Sequence, residues 1–132
     1  MAAERIETSA QAGATIEAIA DAVVTLDTKG VITSWNPAAE SLLGHPGAEM
    51  VGATLAAVIP EEFRSRHMAG FHAALDSGRL KHKGRAAHVQ ASKASGEVVG
   101  LAMTLGLLRD GGHSVNGVVA VLRPLVELDH FA

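Results

Sequence analysis

The chain has 132 residues with a formal charge of −3, 48% of them hydrophobic and 3% aromatic, which bounds it to one globular domain large enough to bury a core. The absence of cysteine excludes disulfides, thiolate nucleophiles, cysteine-ligated zinc, iron–sulfur clusters and photochemistry that ends in a cysteinyl adduct. An acidic balance whose basic residues are no denser than Lys81, Lys83 and Arg85 excludes a nucleic-acid surface.

In chain order, Ile6 to Ala20 carries apolar residues at helical spacing, interrupted by Gly13, which reads as two helical pieces with a hinge. Ala22–Asp27 and Val31–Trp35 are strand-like runs around a Thr28–Lys29–Gly30 turn, a β-hairpin. Asn36 followed by Pro37 is an N-cap with proline at the first helical position, so a short helix should run from Pro37 to Leu43 and stop at Gly44. Further helical turns fit around Ala48–Met50 and Leu55–Val58. Beyond Pro60, the spacing of Phe63, His67, Gly70, Phe71, Ala74 and Leu75 predicts the longest helix, ending at Gly78. Arg85–Ser92, Glu97–Leu107 and Ser114–Leu125 then read as strands joined by tight turns. The order predicts an α+β domain, with short helices and one longer helix on one face of a five-stranded antiparallel sheet. The N-terminus lacks an apolar signal core, and no run approaches the ~20 apolar residues that span a bilayer. A cytoplasmic location with no membrane contact is therefore expected.

The run from Val24 through Asp27, Gly30, Trp35, Asn36, Ala39 and Glu40 to Gly44 resembles the opening of a PAS domain, whose pattern is a hydrophobic strand, D-x-x-G, a strand and W/F-N-x-A-A-E-x-x-x-G. The resemblance continues through Val51–Gly52, Ile59–Pro60, Gly78, Gly96 and Gly117. It implies a flanking helix over residues 1–14, a PAS sensor domain over 15–125 and a tail over 126–132. PAS domains sense small molecules, hold flavin or heme, or mediate pairing, so the fold alone does not name the ligand.

Pro60, Phe63, Arg64 and His67 fall in register with the P-x-x-[FY]-R-x-x-H motif of the heme-binding PAS domains of FixL-type oxygen-sensing histidine kinases. That resemblance implies heme b, with His67 as the proximal iron ligand and Phe63 and Phe71 beside it on the same helix. A neutral imidazole on a helix that lines an apolar cavity has the chemistry for this. Arg64, Arg66, Lys81, His82 and Lys83 are cations suited to the heme carboxylates. The group's oxygen-binding arginine falls at Ala87 here, with Arg85 two residues earlier and His88 one later, and its apolar distal pair falls at Met103 and Leu105. Arg123 is kept at the end of the last strand, but Pro124 stands where aspartate is usual.

The alternatives are a half-buried structural role for His67, and a PAS module without cofactor, or with another small apolar ligand, that works by pairing. In either case a homodimer through residues 6–20 and the sheet is expected, with a diatomic gas as ligand if heme is present. Ser65, His67 and Asp76 do not form a catalytic set: there is no nucleophile elbow, phosphate loop or carboxylate pair, so no reaction is expected of this chain.

Overall fold

The computed structural model describes residues 9–80, 85–111 and 114–125. Helix α1 (Ser9–Ala18) precedes strands β1 (Ala22–Asp27) and β2 (Ile32–Trp35). Helices α2 (Pro37–Leu43) and α3 (Gly47–Met50) follow, then 3-10 turns at Leu55–Val58 and Glu61–Phe63, helix α4 (Arg64–Ser77), and strands β3 (Ala87–Ser92), β4 (Val98–Arg109) and β5 (Val115–Pro124). The five strands form one sheet in the order β2-β1-β5-β4-β3, with every pairing antiparallel. Among the described residues no helix is long and apolar enough to cross a membrane.

Each turn follows from local chemistry. The Asp27 carboxylate accepts from the Lys29 and Val31 N–H groups at 2.8 and 3.0 Å, and Gly30 takes φ 80°, a left-handed conformation that glycine adopts without strain. Gly78 ends α4 in the same way at φ 67°. One expectation fails: α1 runs unbroken through Gly13 to Ala18. A single helical glycine costs only about 1 kcal/mol, and alanine, glutamine and glutamate around it are strong helix formers.

Asn36 ties the N-terminal half together. Its Oδ1 accepts from the Ala39 N–H at 3.0 Å, capping α2, and from the Val23 N–H at 2.9 Å, while its Nδ2 donates to the carbonyls of Ile16, Ile19 and Asp21. The side chain is 2% exposed, the only buried polar one among the described residues. Nearby, Arg123 on β5 donates through Nε and Nη2 to one oxygen of Asp21, at 2.9 and 2.8 Å.

Strand alternation sends Val24 and Leu26 of β1, Leu101 of β4 and Val118 and Ala120 of β5 to one face. There they meet Trp35, Ala39, Leu43, Met50, Val58 and Phe71 in one hydrophobic core. Full burial of a leucine such as Leu43 or Leu101 contributes about 1.5–3 kcal/mol. Helix α4 is pinned at both ends: the Arg64 Nε donates to the Ile59 carbonyl at 2.9 Å, and Arg109 of β4 donates to the Gly78 carbonyl at 2.8 Å.

Candidate functional site

Helix α4 carries two stripes. Met68, Phe71 and Leu75 pack into the core. Phe63, just before the helix, and Arg66, His67, Gly70 and Ala74 border a cavity of about 540 Å³ between α4 and the sheet, and Phe71 reaches it as well. The sheet wall is Ala87, Val89 and Ala91 of β3, Met103 and Leu105 of β4, and Val118, Ala120 and Leu122 of β5. These are alternate residues brought level by register, since Ala87 faces Met103 and Met103 faces Leu122. Trp35, whose Nε1 is held by the His45 carbonyl at 2.9 Å, closes one side together with Leu43, and Leu55, Val58 and Ile59 close another. The volume lies in the range of sites for drug-sized ligands and cofactors, about 300–1,000 Å³.

His67 is the half-buried titratable group in this apolar surface. Burial pushes its imidazole pKa below the ordinary 6.5, so the ring is neutral at pH 7 and offers a lone pair. Its Nδ1 is buried and has no hydrogen-bond partner, a deficit of about 1–3 kcal/mol that a bound group would relieve. No cluster of three or more His, Asp or Glu capable of holding a metal occurs among the described residues. A metal at His67 would therefore have to bring most of its own ligands, as a porphyrin does. Neutral imidazole, apolar lining and volume together fit a heme-sized group.

Of the residues singled out from sequence, His67, Phe63, Phe71, Arg85, Ala87, Met103 and Leu105 all border this cavity. Arg64 does not. It is exposed, and its Nε–H is used by the Ile59 carbonyl, so the α4 cation at the cavity is Arg66. Arg85 lies before β3 rather than within it and stands exposed at the cavity mouth. His88 touches the rim, but its ring turns to the outer face of the sheet beside Gly100. His82 lies outside the described residues, as do Ile6, Lys81 and Lys83. His72 is exposed, with its ring edge-on to Phe71 at 5.7 Å between centroids. Sequence reasoning passed over Gly70 and Ala74 as site residues, although they sit three and seven positions after His67, the spacing of one helix face. It also passed over Val118, Ala120 and Leu122, which strand alternation places level with Met103 and Leu105.

Comparison with known proteins agrees with this architecture. The chain is 31% identical over 110 residues to an uncharacterized protein of Azorhizobium caulinodans, an alignment that takes in 83% of this chain but only 15% of that protein's length. A PAS domain from Colwellia psychrerythraea superposes with a TM-score of 0.75 at 15% identity, covering 88% of this chain and 95% of that one. A light-oxygen-voltage domain from work with a flavin analogue superposes with a TM-score of 0.67 at 15% identity, covering 94% and 89%. At these identities the two structures show the shared fold alone. Residues 12–125 match the family model of the PAS fold, and with the five-stranded sheet, the short helices and the cavity under α4 already in place, the chain belongs to the PAS family.

Proposed function

We propose that this chain is the sensor module of a larger signalling protein and holds heme b against His67, responding to a diatomic gas or to redox state. The observation that carries this reading is the neutral, half-buried imidazole with an unpartnered Nδ1 at an apolar cavity of cofactor size. When bound, heme supplies an iron that takes diatomic gases and changes oxidation state. His67 offers the iron a lone pair. Arg66 and Arg85 put positive charge at the edge of the cavity, where carboxylates of an otherwise apolar ligand gain most. Met103, Leu105 and Ala87 form an apolar stretch of the cavity wall.

Ala87 offers no hydrogen-bond donor. This wall therefore favours carbon monoxide over oxygen, which gains from a donor. Light chemistry through a cysteinyl adduct is closed to a chain without cysteine. A second copy would pair through residues 6–20 and the outer face of the sheet. Within that segment Ile16 is half-buried and Ile19 is 39% exposed.

The test is absorption spectroscopy after hemin is added to wild type and to His67→Ala. Wild type should show a one-to-one Soret band that the variant, folded by circular dichroism, lacks. An unchanged heme spectrum in His67→Ala would overturn the assignment.

A second reading rests on the same atom. Ligating histidines ordinarily donate their other ring N–H to an acceptor, and Nδ1 has none. In that reading the cavity takes another small apolar ligand or nothing, and the chain is a pairing module. A wild-type dimer that stays colourless with hemin would select it.

A further inference from the structure

Gly70 sits in the middle of α4, three residues after His67, and borders the cavity. A glycine inside a helix gives up stability relative to alanine, so its place there asks for a reason. One common reason is a left-handed backbone, but Gly70 is not among the glycines with positive φ. Another is a neighbour that leaves no room for a Cβ. Gly117 is such a case, since a Cβ there would stand 2.6 Å from the Leu26 carbonyl oxygen. At Gly70, which is exposed and at the open side of the cavity, a Cβ would meet nothing within 4 Å. Gly13 is equally open, but it lies on α1 and does not border this cavity.

The side chains around Gly70 continue the pattern. Beyond Phe71, Ala74 is the next residue of α4 at the cavity, and Ala87, Ala91 and Ala120 stand on the sheet wall. Small residues on both walls keep the space between helix and sheet clear. His67 stands one turn from the point where the helix backbone is barest.

We propose that Gly70 is the residue that admits a broad planar ring system: the bare backbone lets such a ring lie against α4 beside His67, and a side chain at this position closes the space. This deepens the reading of the cavity as a ligand site, and it holds whether or not the ring carries iron.

The experiment uses the full chain and metal-free protoporphyrin IX, which has the porphyrin plane but no iron to bond to His67, followed by fluorescence titration. Wild type should bind it, and Ala69→Leu, on the exposed neighbour of Gly70, should match wild type. Gly70→Ala should raise the melting temperature by about 3–5 °C, as a helical glycine replaced by alanine does, and yet weaken protoporphyrin about twofold or more. Gly70→Leu should weaken it about tenfold or more, the scale of overfilling a packed site. Weaker binding in a more stable variant cannot come from unfolding. The proposal is overturned if wild type binds no protoporphyrin, or if Gly70→Ala and Gly70→Leu bind as wild type does. The heme reading fails separately, if His67→Ala takes up hemin with an unchanged spectrum while the Gly70 series behaves as stated.

Discussion

Replacing Asn36 tests the architecture at its tightest polar point. In Asn36→Ala the cap of α2 is lost, about 1 kcal/mol. The Val23 N–H, on a residue 3% exposed, is left without its side-chain acceptor, about 1–3 kcal/mol. The carbonyls of Ile16, Ile19 and Asp21 lie where water can reach them, and their loss adds about 0.5–1 kcal/mol. The expected destabilisation is about 2.5–5 kcal/mol, which for a domain of 132 residues lowers the melting temperature by about 9–18 °C. In urea the midpoint should fall with the slope unchanged. Asn36→Asp separates the two halves of the side chain. It keeps both acceptor bonds but sets a carboxylate oxygen before three carbonyls, so hydrogen exchange should speed up in α1 while Val23 and Ala39 stay protected. A loss below about 1 kcal/mol in Asn36→Ala, or equal deprotection of Val23 and Ala39 in both variants, would refute the reasoning.

In ligand-free protein, His67 should make stability depend on pH. Its folded pKa lies below 6.5, so on acidification the unfolded chain binds the proton first. Its contribution is complete above pH 6.5 and is lost as pH falls from there toward the folded pKa. The slope reaches at most about 1.4 kcal/mol per pH unit for one proton, and His67→Gln should remove it; identical slopes would count against the burial. Gly117→Ala drives a Cβ to 2.6 Å from the Leu26 carbonyl and should cost about 1–3 kcal/mol in a urea titration, whereas a neutral result would mean that β1 and β5 are not this close. Arg123→Ala should cost less than about 1 kcal/mol, because its pair with Asp21 is 69% and 35% exposed, and that cost should disappear in 1 M salt.

Features that rest on backbone chemistry were legible in the sequence. Asn36, Pro37, Gly44 and Gly78 each mark a helix boundary by a local rule, and the structure has α2 and α4 at those boundaries. Ala87, Met103 and Leu105 were singled out by the resemblance to FixL-type domains, and strand pairing sets them on one face. What could not be read depends on how elements meet. The partner of Arg64, the Ile59 carbonyl, depends on how the turn before α4 is placed, whereas the spacing of Phe63, Arg66, Gly70 and Ala74 already sets Arg66 on the cavity face. Gly13 looked like a hinge because a lone glycine is a weak signal beside the helix formers around it. The far wall at Leu55, Val58 and Ile59 comes from short turns whose placement depends on the sheet. Gly70 reads in a sequence like any helical glycine, and its place beside the cavity exists only once α4 is set against the sheet.

The arginine contacts at the two ends of α4 make that helix a beam with fixed supports. A beam held at its ends answers a sideways load at mid-span by bowing, and the supports take up the force. Gly70 is near mid-span and His67 one turn before it, both bordering the cavity beside Phe71. One support is the turn at Ile59. The other is Arg109, at the end of β4 that leads into the β4–β5 hairpin. A load from the cavity is thus divided between the short-helix side of the domain and the central pair of strands, and severing either arginine contact would turn bowing into a swing about the remaining one.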